Sequence, residues 1–156
     1  MRRKGLLVAL LVTILSPALR VGQVPSIRAT IRAAGQKSTT TPDFISPGQL
    51  KNKIAAKQAV TIIDVRDTPT YLSSGKIKGA LFFKLRKLSY RITMPPLKDL
   101  PRDREVVTYC ACPHDEASIR AAQMFLDVGF KRVRVLQGGW QGWLKVNGQT
   151  EPRPKA

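Results

Sequence analysis

From residue 43 onward, short apolar runs alternate with segments that carry apolar residues at helical spacing. A strand buried on both faces forms a continuous apolar run, whereas a surface helix repeats its apolar positions about every third or fourth residue. This alternation predicts an α/β fold, with a central, mainly parallel sheet flanked by helices in three layers. The predicted strands are AVTIIDVRD, GALFFKL, REVVTYCA and KRVRVLQGG.

The predicted helices carry end signals as well as periodicity. Ser46 is a predicted N-cap followed by Pro47 in the first turn, and Gly75 is predicted to end the short helical turn TPTYLSS. The segment EASIRAAQMFLDVGF predicts a longer helix that ends at Gly129. Its apolar face is predicted to comprise Ala117, Ala121, Met124, Phe125 and Val128.

Two further segments complete the prediction for the folded part. WQGWLKVNG predicts a last helix, whose Trp140 and Trp143 are expected in the core because large aromatics dominate protein interiors. RKLSYRITMPPLKDLPRD predicts irregular structure with one basic helical turn. The folded domain is therefore expected over residues 43–150, followed by a tail at 151–156.

The N-terminus has the order of an export signal. Three basic residues precede an apolar run from Leu6 to Leu15, which Ser16 and Pro17 interrupt. That run is shorter than the roughly 20 apolar residues of a membrane helix. We predict a signal peptide or N-terminal anchor over residues 1–22, with an organellar transit peptide as the alternative, and a basic, Ser/Thr-rich linker over residues 23–42. The protein is thus expected to be exported, periplasmic or secreted, or membrane-anchored if the leader is uncleaved.

The excess of basic residues bears on which classes of binding partner are expected. The chain has 27 Lys and Arg residues against 10 Asp and Glu residues. Such a surface attracts anions of several kinds, but the basic residues are dispersed and no nucleic-acid-binding motif accompanies them. We therefore predict no nucleic-acid partner.

Both cysteines and the only histidine of the chain fall within CACPH, residues 110–114, between a predicted strand and a predicted helix. The free N–H groups and dipole of a helix start stabilise a thiolate there and lower its pKa from about 8.5. Loop amides could then hold an anionic persulfide, as an oxyanion hole would. Packing of two buried thiols is the plainer alternative.

Two other uses of these side chains stay open. Cys110, Cys112 and His114 could share one side of an extended strand, but their spacing matches no common zinc site and no fourth ligand is evident, so no metal or cofactor is predicted. A disulfide across one residue would be strained and easily reduced, which favours a redox or resolving pair over a structural bridge.

The ordered pieces IIDVRD, SGKIKGALFF, LPRDREVVTYC and SIRAAQMFLDVGFKRVRVLQGGWQGW, followed by Gly148, resemble a single rhodanese-like (sulfurtransferase) domain. The resemblance covers roughly residues 43–150. It implies a cysteine that carries sulfur as a persulfide, received from a sulfane donor such as thiosulfate and passed to a thiol or cyanide acceptor. It also implies a structural role for Asp64 and Arg66, which connect the end of the sheet to the loop.

The loop departs from the family pattern Cys-x-x-Gly-x-Arg. Strand register favours Cys110 as nucleophile, whereas a loop of six residues before Ser118 favours Cys112. The predicted substrate loop comprises Ala111, Pro113, His114, Asp115, Glu116, Ala117 and Ser118, with Arg120 in support.

Two consequences for substrate choice follow from that loop. The carboxylates of Asp115 and Glu116 are expected to oppose both thiolate formation and an anionic donor such as thiosulfate, although His114 and Arg120 could offset them. No arginine stands six positions after either cysteine, so phosphatase activity is not expected.

Three hypotheses follow from the sequence. The first is a sulfurtransferase that uses Cys110 or Cys112 as nucleophile. The second is a non-catalytic rhodanese module that binds a protein of the cell envelope. The third is a Cys-x-Cys thiol-disulfide redox protein.

Overall fold

The structure, a computed structural model, describes residues 41–152. Seven strands and five helices alternate along this part of the chain. The strands are β1 (Asp43–Ile45), β2 (Val60–Asp64), β3 (Lys76–Ile77), β4 (Leu81–Phe82), β5 (Glu105–Tyr109), β6 (Arg132–Leu136) and β7 (Thr150–Glu151). The helices are α1 (Pro47–Ala55), α2 (Thr68–Ser74), α3 (Leu85–Ile92), α4 (Glu116–Asp127) and α5 (Gly139–Lys145).

Five strands form one parallel sheet in the order β1-β6-β5-β2-β4, and β3 pairs with β7 in a separate antiparallel ribbon. Two apolar clusters cover the two faces of the sheet. One contains side chains of α3 and α4, and the other contains side chains of α1 and α5. The predicted three-layer α/β fold with a mainly parallel sheet is confirmed.

Strand β5 is the most enclosed strand, with all five residues buried. It pairs with β2 on one side and β6 on the other. Because side chains alternate across a strand, Val106 packs towards α4 while Val107 and Tyr109 pack towards α5. The residue that follows β5, Cys110, therefore turns towards the α4 side.

The helix starts follow the local sequence signals. The Ser46 hydroxyl accepts from the Gln49 amide at 3.2 Å, and the Gln49 side chain accepts from the Ser46 amide at 3.0 Å. This reciprocal pair is a capping box, which satisfies two N–H groups at the start of α1. Helix α2 begins after Asp67, whose carboxylate accepts from the Thr70 amide, and ends at Gly75, which has a positive φ of 70°.

Several local predictions were wrong. GALFFKL contains only the two-residue strand β4, and the basic turn predicted after it is the eight-residue helix α3. Val128 was predicted on the buried face of α4, but it is the C-cap residue and is 40% exposed. Strands β1 and β7 had no predicted counterpart, because segments of two or three residues carry too little periodicity to detect.

The predicted signal peptide or anchor at 1–22, and all but the last two residues of the predicted linker at 23–42, lie outside the described residues. Within residues 41–152, none of the helices has the length and apolar character needed to span a membrane. The last strand extends to Glu151, one residue beyond the predicted domain end.

Candidate functional site

Cys110 lies directly after β5, at the carboxyl end of the parallel sheet. Its side chain is fully buried. The Cys112 amide donates to its sulfur over 3.3 Å, and the Ser118 hydroxyl lies 3.7 Å from the same atom. That hydroxyl also lies 2.8 Å from the carbonyl oxygen of Asp115. One loop amide and one hydroxyl therefore lie next to the sulfur.

The backbone of Cys110 is held from the opposite side by the turn between β6 and α5. The Trp140 amide donates to the Cys110 carbonyl oxygen at 2.8 Å. A Cβ placed on Gly139 would lie 2.2 Å from the same oxygen, and Gly139 has a positive φ of 46°. Only glycine fits this approach without a shift of the backbone. The β6–α5 turn thus fixes the position of the Cys110 backbone.

Asp115 joins the cysteine loop to that same turn. It adopts a left-handed conformation with φ 57°, and its buried carboxylate accepts from the Gly138 amide at 3.0 Å. The other carboxylate oxygen, Oδ1, is buried without a hydrogen-bond partner among the described residues. Burial raises the pKa of Asp115, and the Gly138 hydrogen bond opposes this rise. The side chain is therefore an anchor of the loop, not a group that faces substrate.

The pKa of Cys110 is raised, in the direction opposite to the sequence prediction. Burial is the main cause, and a side-chain hydrogen bond with Cys112 adds to it. The Cys112 amide and Ser118 act in the other direction. The sequence could place the thiol near a helix start, but it could not predict how completely the thiol is removed from water. Cys110 therefore rests as a protonated thiol over a wider pH range than an exposed cysteine.

Both thiols border an open cleft of about 690 Å³. Lys84, Arg86 and Arg120 line it against one carboxylate, that of Asp67, so its walls have an excess of positive charge. Arg66 also belongs to the lining, but its guanidinium is paired with the carboxylate of Asp64. The lining residues are Val65, Arg66, Asp67, Thr68, Thr70, Lys84, Leu85, Arg86, Cys110, Ala111, Cys112, Ala117 and Arg120. Asp115 and Glu116 are absent from this wall. The two loop carboxylates therefore do not form the wall of the cleft, and their expected opposition to an anionic donor stays a prediction.

Beneath the cleft, Asp64, Arg66 and Tyr109 form a buried polar cluster. The Arg66 guanidinium donates to both carboxylate oxygens of Asp64, at 2.6–3.1 Å, and to Ser74 and Gly75. The Tyr109 hydroxyl donates to Asp64 at 2.6 Å. The Asp64 and Arg66 side chains have no solvent exposure in this pair. The contacts agree with the structural role that the resemblance implied for both residues.

The structure brings only part of the predicted loop to the cleft. Ala111, Cys112 and Ala117 line it, and Ser118 contacts the Cys110 sulfur. Pro113, His114 and Glu116 are exposed and do not line it. Arg120, predicted as a supporting residue, does line it. No group of three metal-ligating side chains occurs among residues 41–152, and both cysteines are free.

Sequence reasoning missed the far wall of the cleft. Asp67, Thr68 and Thr70 follow β2, while Lys84 and Arg86 follow β4. The carboxyl ends of parallel strands meet at one edge of the sheet, where ligands bind in such folds. Applying that rule to β2 and β4 as well as to β5 would have identified these residues.

Comparisons with known proteins agree with this geometry. Residues 46–146 match the family described as Rhodanese-like domain. A protein named Sulfurtransferase from Allochromatium vinosum is 29% identical over 101 residues, which cover 65% of this chain and 87% of the relative. A Mus musculus protein, named Thiosulfate sulfurtransferase/rhodanese-like domain-containing protein 3, is 27% identical over 124 residues, covering 74% of this chain and 76% of the relative.

Among solved structures, the Alr3790 protein from Anabaena sp. is similar to this chain with a TM-score of 0.60 and 31% sequence identity. The similarity covers 70% of this chain and 82% of that structure. The solution structure of its rhodanese-like domain gives the same TM-score and identity over 70% of this chain and 79% of the other.

Proposed function

Since the chain belongs to the rhodanese-like domain family, we propose that it is a sulfurtransferase that moves a sulfane sulfur through a persulfide on Cys110 to a thiol or cyanide acceptor. In the first step, the Cys110 thiolate attacks the sulfane sulfur of the donor, and the remainder of the donor leaves with the bonding electron pair. In the second step, the acceptor attacks the outer sulfur of the persulfide and restores the thiolate.

The observation that carries this proposal is the position of the Cys110 sulfur. It lies at the end of the central strand, beside a cleft, within reach of the Cys112 amide and the Ser118 hydroxyl. The amide can stabilise a thiolate or a persulfide anion and is held in place before reaction. The Ser118 hydroxyl can do so by turning its proton from the Asp115 carbonyl oxygen to the sulfur. Cys112, the other candidate nucleophile, has no comparable set of donors to its sulfur among the described hydrogen bonds.

The charge of the cleft supports an anionic donor of the thiosulfate class. Lys84, Arg86 and Arg120 line the cleft, and no carboxylate of residues 41–152 forms an ion pair with them. Cations of this kind attract a sulfonate group and favour the charged sulfite that leaves after sulfur transfer. We therefore retain thiosulfate as a candidate donor despite the acidic residues of the loop.

Mass spectrometry of two single-cysteine variants tests the proposal. After incubation with thiosulfate and removal of the donor, the wild type and Cys112→Ser are expected to gain one sulfur atom on Cys110. Cys110→Ser, the matched control with one thiol left, is expected to gain none and to transfer no sulfur to cyanide. Full activity of Cys110→Ser would contradict the proposal.

A non-catalytic binding module is the second candidate, favoured by the full burial of Cys110 and by its raised pKa. It predicts that no cysteine of the wild type gains sulfur from thiosulfate or from a polysulfide. We also propose, from the leader-like N-terminus, that the protein is exported and that any protein partner lies in the cell envelope. Fractionation of cells that express the full chain tests this location, and recovery of the protein only from the cytosol would contradict it.

A further inference from the structure

The two cysteines differ in their access to solvent although they border the same cleft. Cys110 exposes none of its surface, whereas Cys112 is half-buried. Between and after them, Ala111, Pro113 and His114 are exposed. Cys112 therefore lies on the outer side of the loop, and Cys110 lies beneath it.

The two residues also contact each other, because the Cys112 amide donates to the Cys110 sulfur over 3.3 Å. Both residues line the same cleft. In a persulfide on Cys110, the outer sulfur would lie about 2 Å from the Cys110 sulfur. An outer sulfur that projects into the cleft from Cys110 meets a wall to which Cys112 also contributes.

Access decides which acceptors can take sulfur from Cys110 directly. A diatomic ion such as cyanide can enter a cleft of about 690 Å³ and reach its wall. The thiol of a folded protein is flanked by its backbone and neighbouring side chains, so it reaches a buried sulfur less easily than a partly exposed one. Cys112, the more exposed of the two cysteines, is therefore the more accessible position for a large acceptor.

We propose that Cys112 is a second catalytic cysteine, which takes the sulfane sulfur from Cys110 and presents it to large thiol acceptors at the cleft mouth. This inference rests on the proposed function. The Cys112 thiolate attacks the outer sulfur of the Cys110 persulfide, a new S–S bond forms on Cys112, and the old S–S bond breaks. Its electron pair stays on the Cys110 sulfur, which takes up the proton that Cys112 released. One persulfide and one thiol yield one persulfide and one thiol, so no oxidant or reductant is consumed.

The alternative attack, on the inner sulfur, would release hydrosulfide and close a disulfide between Cys110 and Cys112. A disulfide across one intervening residue forces strained geometry, and a reductant would be needed to reopen it. Attack on the outer sulfur leaves no ring in the product and needs no reductant afterwards. The geometry of the products therefore favours a relay over disulfide release.

The test compares acceptors of different size on the full chain. Wild type, Cys112→Ser and Cys110→Ser are loaded with thiosulfate, and transfer is then timed to cyanide, to glutathione and to a reduced single-cysteine protein. Cys112→Ser is expected to load Cys110 and to supply cyanide, and its own cyanide rate is the reference that accounts for any change in the reactivity of Cys110. Relative to that reference, its transfer to the protein thiol is expected to fall by about tenfold or more compared with wild type, the effect of roughly 1.4 kcal/mol on the barrier. The decrease in the rate of transfer to glutathione is expected to lie between the values for cyanide and for the protein thiol.

Each contrary result has a distinct meaning. Equal rates to the protein thiol in wild type and Cys112→Ser would overturn the relay while leaving the proposed function intact. Direct loading of Cys112 in Cys110→Ser would overturn both, as would absence of sulfur on every cysteine. Hydrosulfide release with a Cys110–Cys112 disulfide in the loaded wild type would replace the relay by disulfide release. If Cys112→Ser fails to fold, judged by thermal unfolding, Cys112→Ala takes its place.

Discussion

Two polar clusters lie side by side at the carboxyl ends of β2 and β5, and they differ in how fully their polar atoms are paired. In the cluster of Asp64, Arg66 and Tyr109, each guanidinium nitrogen has an acceptor and both carboxylate oxygens accept. The Tyr109 hydroxyl also accepts from the Ile77 amide. Every polar side-chain atom of the three residues has a partner.

The cysteine loop, one residue further along β5, is paired less fully. Asp115 keeps one buried carboxylate oxygen without a partner, and the Cys110 sulfur has only two weak donors. Burial raises the pKa of both groups, so each is held in surroundings that disfavour its charged form. A fully paired cluster fixes the sheet end, whereas the incompletely paired one leaves a sulfur and a carboxylate oxygen with capacity for a further hydrogen bond.

The largest effect on stability is expected when one charge is removed from the fully paired cluster of Asp64, Arg66 and Tyr109. Asp64→Asn leaves the Arg66 cation buried without its counter-ion, and Tyr109 without a charged acceptor. Removing one partner of a buried ion pair costs about 3–5 kcal/mol, so we expect a loss of that order in the free energy of unfolding, measured with urea. Asp99→Asn, the same change at an exposed position, should stay within about 0.5 kcal/mol of wild type.

A loss below about 1 kcal/mol in Asp64→Asn, with an unchanged dependence on urea, would contradict the structural role of the cluster. It would mean that water or a side-chain shift compensates Arg66. The two clusters would then not differ in the way their contacts indicate.

The sequence predicted the architecture better than the environment of the thiol. Long apolar runs such as VTIID and EVVTY, and the cap at Ser46, identify strands and a helix start because burial and capping are local to a few residues. The position of Cys110 at a sheet end follows from the same pattern. Strand β7 depends on pairing with residues more than seventy positions earlier, which no local pattern encodes.

The chemistry of the loop depends on contacts between distant segments. Asp115 is predicted as a residue of the substrate loop, and its carboxylate turns to Gly138, 23 positions later in the chain. Lys84 and Arg86 reach the cleft because β4 pairs with β2, whereas the predicted parallel sheet did not specify which strands are neighbours. Charges can be counted from a sequence, but the side of a loop on which each charge lies is decided by tertiary packing.

A smaller effect is expected from the unpaired cluster, and it depends on pH. Because the pKa of Asp115 is raised on folding, the folded chain binds its proton more tightly than the unfolded chain. The stabilisation from this group is therefore fully present below the ordinary carboxyl pKa of about 3.9 and is lost as pH rises through the raised value. Asp115→Asn removes this titration while keeping an acceptor for Gly138.

The measurement is the difference in free energy of unfolding between wild type and Asp115→Asn at several pH values from acid to neutral. We expect this difference to shift in favour of the variant as pH rises. Asp99→Asn, compared in the same way, provides the exposed control. A difference that shifts in favour of the wild type would mean that the Asp115 carboxylate is stabilised, not disfavoured, by its burial site.

The smallest energetic change, and the one closest to the chemistry, concerns the protonation of Cys110. A side-chain hydrogen bond with Cys112 raises the pKa of Cys110, and Ser118 lowers it. Cys112→Ala is therefore expected to move the titration of Cys110 to lower pH, because it removes the hydrogen bond and admits water. Ser118→Ala is expected to move it to higher pH, because the thiolate loses a donor.

The rate of alkylation by iodoacetamide, followed against pH, measures both shifts, since only the thiolate reacts. Cys112→Ala leaves Cys110 as the sole thiol of the chain, and peptide mapping separates the two thiols in Ser118→Ala. If the pH midpoints of the two variants move in opposite directions, the contacts of the loop set the pKa of Cys110. Displacement of both in the same direction would instead mean that burial alone sets the pKa. Cys110 would then be a packed thiol, and the contrast with the Asp64 cluster would lose its chemical meaning.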